Sequence, residues 1–216
     1  MAIIPADEKV FMASNGTNTT YGGSAALQAM QQWYTMEDVT NTVRPYKVFT
    51  ALLTQSGGDS ESYVYIGGLA TIGVTYTITA NDDDLADFTN IGAPNNNIGT
   101  KFIATGTTPA SWGDYAELTY NLGAPVATVL ENTIGNVWFT YLQTGFYQAN
   151  YDGLFTLNKT FGQGTTRTAD DGTGFGVISV IPNNINTVNI YSTNPIVELP
   201  FDNILFNTPI EIRVYN

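Results

Sequence analysis

Apolar residues in this chain come in short runs of five or six, broken by single Thr or Ser residues and separated by turn residues such as Gly, Asn, Asp and Pro. Such runs match the usual length of strands and fall short of the three or four turns of a typical packed helix. Val48 to Leu53, Val126 to Leu130, Val137 to Leu142 and Val177 to Ile181 hold apolar residues at both odd and even positions. Each therefore predicts a strand covered on both faces. Ile210 to Tyr215 alternates instead, as a strand with one wet face does. Thr144-Gly145 and Ile134-Gly135-Asn136 are placed to turn hairpins.

The polar surface of such a chain has to come from somewhere, and only 12% of its residues are charged. Thr, Asn, Ser, Gln and Tyr take that place, and Thr and Tyr suit pleated surfaces while Asn and Gly suit turns. The expectation is a mainly β chain, an antiparallel β-sandwich of jelly-roll-like form. Seven Lys and Arg against 19 Asp and Glu leave a formal charge of −12. That field repels nucleic-acid phosphates and anionic headgroups, so neither nucleic acid nor membrane is an expected partner. Without cysteine, disulfides and thiolate metal sites are excluded. No run approaches the roughly 20 apolar residues of a spanning helix, and Met1 to Val10 does not resemble a secretory signal.

Three regions follow from changes of texture. Residues 1–44 hold the convincing helical pattern: Ser24 is placed to cap a helix whose Ala26, Leu27, Met30 and Trp33 share a face. Thr35 with Asp38 starts a second short helix, which Arg44-Pro45 ends. Upstream, Lys9 to Ala13 reads as a short strand before an Asn15-Gly16 turn. Residues 45–68 plus 121–216 form the sandwich. Residues 69–120 form a small inserted β-module, in which Val74, Tyr76 and Ile78 alternate with Thr75, Thr77 and Thr79. Lys101 to Thr105 and Glu117 to Tyr120 are its further strands.

The chain has no His and no Cys, which removes the Ser-His, Cys-His and histidine-metal arrangements. Glu117, Glu131, Glu198 and Glu211 leave a paired-carboxylate glycosidase formally open, but solvent-side strand residues are the plainer reading, and no catalytic residues are expected. Asp82, Asp83 and Asp84 could give oxygen ligands to calcium. They read more simply as a solvated hairpin tip, and no cofactor is expected. Asp170-Asp171-Gly172 and Tyr151-Asp152-Gly153 read as turns, and Gly162-Gln163-Gly164 as glycines serving loop geometry. Trp138, Tyr141, Phe146, Tyr147 and Tyr151 crowd a short stretch that one sheet face cannot bury. Such aromatics seal interfaces or stack sugars.

Thr50 to Gly57, rejoined across the insertion to Ala124 to Gly135, resembles a module recurrent in structural proteins of tailed phages and prophages. Gly73 to Ile78, Asp87 to Ala93, Ala104 to Pro109 and Trp112 resemble a second cassette of phage virion proteins. Thr19 to Leu27 with Gln32-Trp33-Tyr34 is similar to N-terminal segments of marine-phage structural proteins. The resemblance implies a non-enzymatic virion part made in the host cytoplasm and carried on the particle surface. A capsid-attached decoration or head-fibre protein is the first expectation, docked on the major capsid protein or another virion protein through Leu27, Met30 and Trp33. By analogy with phage fibres it assembles as a homotrimer, with Phe49, Leu53, Trp138, Tyr141 and Phe146 at the subunit contact. The alternative is a tail-fibre or adsorption protein that binds host surface glycans.

Overall fold

The computed structural model describes residues 10–12, 19–21, 44–81, 84–168, 175–196 and 198–216. They belong to two compact units, Met1–Arg44 and Pro45–Asn216. In the first, β1 (Val10–Met12) pairs antiparallel with β2 (Thr19–Tyr21), Val10 opposite Tyr21. The helical face expected at Leu27, Met30 and Trp33, and the helix expected after Thr35, lie outside the described residues.

Among the described residues of the second unit the regular elements are strands, apart from a 3-10 turn over Thr89–Ile91. In chain order its strands are β3 (Tyr46–Thr54), β4 (Glu61–Tyr65), β5 (Thr75–Asn81), β6 (Ala86–Asp87), β7 (Lys101–Ile103), β8 (Ser111–Trp112) and β9 (Ala116–Asn121). There follow β10 (Val126–Asn132), β11 (Trp138–Gln143), β12 (Phe146–Asn150), β13 (Thr160–Gln163), β14 (Thr166–Thr168), β15 (Phe175–Asn184), β16 (Thr187–Asn194), β17 (Leu199–Pro200) and β18 (Thr208–Tyr215).

Two antiparallel sheets make the sandwich. One has the order β10-β3-β18-β13, the other β11-β12-β16-β15-β14 with β17 beside β16. Their inner faces share one core: Phe49, Ala51, Leu53, Ile210 and Ile212 from the first meet Phe139, Tyr147, Ile178, Val188 and Ile190 from the second. The alternation read in the last strand is realised as Ile210, Ile212 and Val214 inward with Glu211, Arg213 and Tyr215 outward. Thr144-Gly145 turns the β11–β12 hairpin. Ile134-Gly135-Asn136 does not turn a hairpin, because β10 and β11 lie in different sheets and this segment carries the chain across the sandwich.

Gly162 and Gly164 have a sharper role than loop geometry. The chain leaves β13 in one sheet and enters β14 in the other, and it passes so close to β15 that a Cβ at Gly164 would lie 1.9 Å from the Ile178 carbonyl oxygen. Only glycine permits two backbones to approach in this way.

The strands β3 and β10 are antiparallel neighbours, Thr54 opposite Val126, so the chain between them fills one hairpin connection. That connection holds a second four-stranded sheet, β4-β9-β5-β7, and the β6–β8 pair. Its strands start at Glu61, upstream of Leu69, because β4 pairs along its length with β9. A separate core of Tyr76, Ile78, Phe88, Ile91, Phe102 and Leu118 lies under the inner face. Hydrogen bonds from the sandwich backbone fasten this sheet to it: the Ala127 amide donates to the Gly73 carbonyl (2.9 Å) and the buried Phe139 amide to the side-chain Oγ1 of Thr75 (3.0 Å). Gly73 is at φ 87, and a Cβ there would stand 2.5 Å from the Ala127 carbonyl oxygen.

Candidate functional site

A cleft of about 440 Å³ opens where the smaller sheet meets the sandwich. One wall is the loop leading into β7, with Asn95, Ile98, Thr100 and Lys101; the other is Asn136, Trp138 and Asp152. Strand alternation sets the indole there. Phe139 and Tyr147 point into the core, so Trp138 stands on the opposite side of β11, half-buried against the cleft. Asn136 Nδ2 donates to the Lys101 carbonyl oxygen at 2.8 Å and ties the two walls together. Asn95 Oδ1 accepts from Thr100 Oγ1 (2.5 Å) and from the Asn97 amide (3.0 Å). The carbonyl of Asn95 and the amide nitrogen of Asn136 are thereby engaged within the wall, which leaves the amide nitrogen of the first and the carbonyl oxygen of the second to offer a ligand. A neighbouring cleft of about 430 Å³ is lined by Pro94, Ile103, Thr105, Val129 and Val137.

The five expected interface residues do not share a surface. Phe49 and Leu53 are fully buried inside the sandwich, so the expectation that they meet another subunit is corrected: β3 is a central strand, and both point at the opposing sheet. Tyr141 is half-buried against the same core and donates its hydroxyl to Asp202 Oδ2 (2.9 Å). Tyr147, grouped with the exposed aromatics, is also fully buried, its hydroxyl 2.7 Å from Asp202 Oδ1 and 3.0 Å from Gln55 Oε1. Burial pushes the Tyr147 phenol well above its ordinary value, and the Asp202 carboxylate pushes it further. Phe146 points outward and stacks on Tyr191, ring centres 4.6 Å apart, beside the bonded amides of Gln148 and Asn189 (2.9 Å).

The four glutamates face different surroundings. Glu117 lies on the outer face of the smaller sheet and accepts from Thr79 Oγ1 at 2.7 Å. On the same face Tyr63 donates to Glu61 (3.0 Å), and its ring runs nearly parallel to that of Tyr65, 6.0 Å away. Glu131 and Glu211 both lie beside Thr50 in register, on the outer face of the sandwich. Glu211 pairs with Arg213 at 2.5 Å, and that guanidinium sits 4.9 Å over the Tyr46 ring. Glu198 occupies a turn at φ 54. Asp84 is exposed at φ 54 after β5, while Asp82 and Asp83 lie outside the described residues, as do Asp170 to Gly172. Among the described residues no three metal-ligating side chains gather.

Of the cleft residues only Trp138 is singled out in the sequence as a contact residue; Asn136 and Asp152 read as turn residues and Lys101 as a strand start. Asn95, Lys101, Asn136 and Asp152 come from three separate turns and a strand start, and no periodicity links them. The Tyr63-Tyr65 spacing carried the alternation of an edge strand, but two tyrosines between Ser62, Val64 and Ile66 are too few to declare a face. Comparison with family models, with curated proteins and with solved structures finds no match to this chain.

Proposed function

We propose that this chain is a non-enzymatic structural part of a tailed-phage particle, a decoration or head-fibre subunit that self-associates on the capsid surface. The observation that supports this reading most is the exposed apolar run on the edge strand of the first sandwich sheet, beyond the point where Gly73 covers it at Ala127. Strand β10 ends that sheet, and Thr128, Val129 and Leu130 are exposed in succession, Leu130 at 59%. Leu130 sits where the register slips between Val129 and Glu131, so it has no partner opposite on β3. At the other edge β13 exposes Phe161. The bulge disfavours strand pairing along this edge, but it leaves Val129 and Leu130 as apolar surface that packing against another chain would bury.

A neighbouring copy would cover β10, and a closed ring of three would leave no such edge free. The charge of −12 favours a protein partner, the major capsid protein or another virion protein, over DNA or an anionic bilayer. Light scattering of the full chain tests the assembly: a trimer is expected, reduced to a monomer by Leu130→Lys. Co-sedimentation with particles lacking the protein tests the attachment, which Leu27→Glu, Met30→Glu or Trp33→Glu should abolish. A wild-type monomer that ignores the particles would end the proposal.

A second reading, an adsorption protein of the tail-fibre kind that binds host glycans, is favoured by one specific observation, the half-buried indole of Trp138 in a polar cleft.

A further inference from the structure

The cleft between Lys101 and Trp138 is held open by bonds that do not involve its contents. Asn136 Nδ2 crosses from one wall to the other at 2.8 Å, and the Ala127–Gly73 and Phe139–Thr75 bonds, 2.9 and 3.0 Å, fasten the smaller sheet to the sandwich outside the cleft. A ligand therefore meets a formed site and need not order one, which spares the entropy that a loose site loses on binding. Its volume lies within the ~300–1,000 Å³ of small-ligand sites.

The lining asks for an unusual combination in a ligand. Trp138 offers a flat apolar face with a polar rim, the kind of surface that holds a molecule with one apolar side. Asn95, Thr100, Lys101, Asn136 and Asp152 line the cleft around it, with the Thr100 hydroxyl already donating to Asn95. They bring both donors and acceptors, and the one cation of the lining, Lys101, is matched by one anion, Asp152. An apolar peptide side chain would strand these polar groups without partners. A phosphate or another polyanion would meet Asp152 locally and a field of −12 at a distance. A pyranose fits both demands, with C–H bonds on one face of the ring and hydroxyls around its rim.

We infer that this cleft binds an uncharged hexopyranose unit, stacked on Trp138 and held through its hydroxyls by Asp152 and Asn95. The inference rests on the glycan-binding reading and adds to it the site and the class of sugar. Because two walls supply the groups, recognition requires the smaller sheet and the sandwich together.

The test uses the full chain and the methyl glycosides of glucose, galactose, mannose and N-acetylglucosamine, with glucuronic acid as the charged comparison. The readout is the Trp138 indole N–H resonance, assigned with Trp138→Phe. At least one uncharged glycoside should shift it saturably, and glucuronic acid should not. Trp138→Ala should weaken binding about ten-fold or more, equivalent to ~1.4 kcal/mol. Asp152→Asn, an exposed position that leaves the fold untouched, should weaken it several-fold, whereas Phe146→Ala should not. No shift by any uncharged glycoside at about 50 mM, enough to fill a site of ~1 mM affinity, overturns the inference. Binding that survives Trp138→Ala and is lost in Tyr63→Ala overturns it too, while leaving glycan binding itself standing on the outer face of the smaller sheet.

Discussion

In the sandwich, Phe49 meets Phe139 at 5.9 Å across the gap between two sheets; in the smaller sheet, Phe88 meets Trp112 at 5.4 Å, edge to face. The first pair comes from regular strands on opposite walls. The second comes from the two-stranded β6–β8 pair and its flanking loop, which among the described residues are what packs Phe88, Ile91 and Ala93 into the core beneath β4-β9-β5-β7. One core is closed by a ladder of backbone bonds, the other by irregular chain that has to satisfy its amides in another way. Asparagine does this. Asn96 Oδ1 accepts from the Phe88 amide (2.9 Å), the buried Asn81 donates to the Asn96 carbonyl (2.9 Å), and Asn90 spans to the Thr108 carbonyl (2.9 Å). These asparagines are the scaffold of a core lid.

The largest expected effects contrast the two cores directly. Phe139→Ala opens a cavity between two sheets that cannot close, and should cost about 5 kcal/mol in urea denaturation. Phe88→Ala lies under a lid with few ladder bonds, so the loop can settle inward and the cost should be nearer 3 kcal/mol. Equal costs would break the comparison. Separate melting of the smaller sheet in Phe88→Ala would sharpen it, by showing that its fastening to the sandwich is weaker than its own core.

Gly164→Ala should come next, at about 3 kcal/mol, since the β13–β15 approach has no room for a Cβ. Its partner experiment is Gly73→Ala, which strains a left-handed residue and forces the smaller sheet off β10. Hydrogen exchange should then show the Ala127 and Phe139 amides losing protection while the amides of both sheets' interiors keep theirs. Loss of protection throughout would mean that the two cores fold only as one.

A smaller effect is expected at Asn81, whose side chain both donates to Asn96 and accepts from the Ala86 amide (3.3 Å). Asn81→Ala leaves buried backbone groups without partners, and should cost about 2 kcal/mol, confined to the smaller sheet. A shift that spreads to the sandwich amides would contradict the lid description.

The same contrast explains what could be read from the sequence. Strands β3, β5, β10, β11, β15 and β18 were legible, because burial of one or both faces imposes a pattern that apolar spacing repeats. The loop core was not, since Phe88, Ile91 and Ala93 follow no period and asparagine serves turns and lids alike. β10 misled in the other direction: its apolar run suggested a covered strand, yet the bulge at Leu130 turns three successive residues out at the sheet edge. The cleft was legible only in Trp138. Its remaining groups become neighbours through the docking of two sheets, a relation that spacing along one chain does not record.

The two regions should also fail at opposite ends of the pH scale. In the sandwich, Tyr147 keeps its proton above the ordinary value of 10.0 because of burial and then Asp202, so its contribution is complete below pH 10 and is lost as the pH rises beyond it. In the smaller sheet the Asp87 carboxylate is held below its ordinary 3.8, first by the Thr89 hydroxyl (2.6 Å) and then by the Thr89 amide (2.9 Å). That contribution is present above 3.8 and disappears as the pH falls through the lower value Asp87 has in the fold. Asp87 is only half-buried and its bonds are local, so the effect is small and should appear in the Thr89 amide resonance before any global unfolding. Asp87→Asn, which keeps an oxygen acceptor but no titrating proton, should flatten the acid response of Thr89 and leave the alkaline response of the sandwich unchanged. An acid response that persists in Asp87→Asn would assign it to another carboxylate and remove the pH contrast between the two cores.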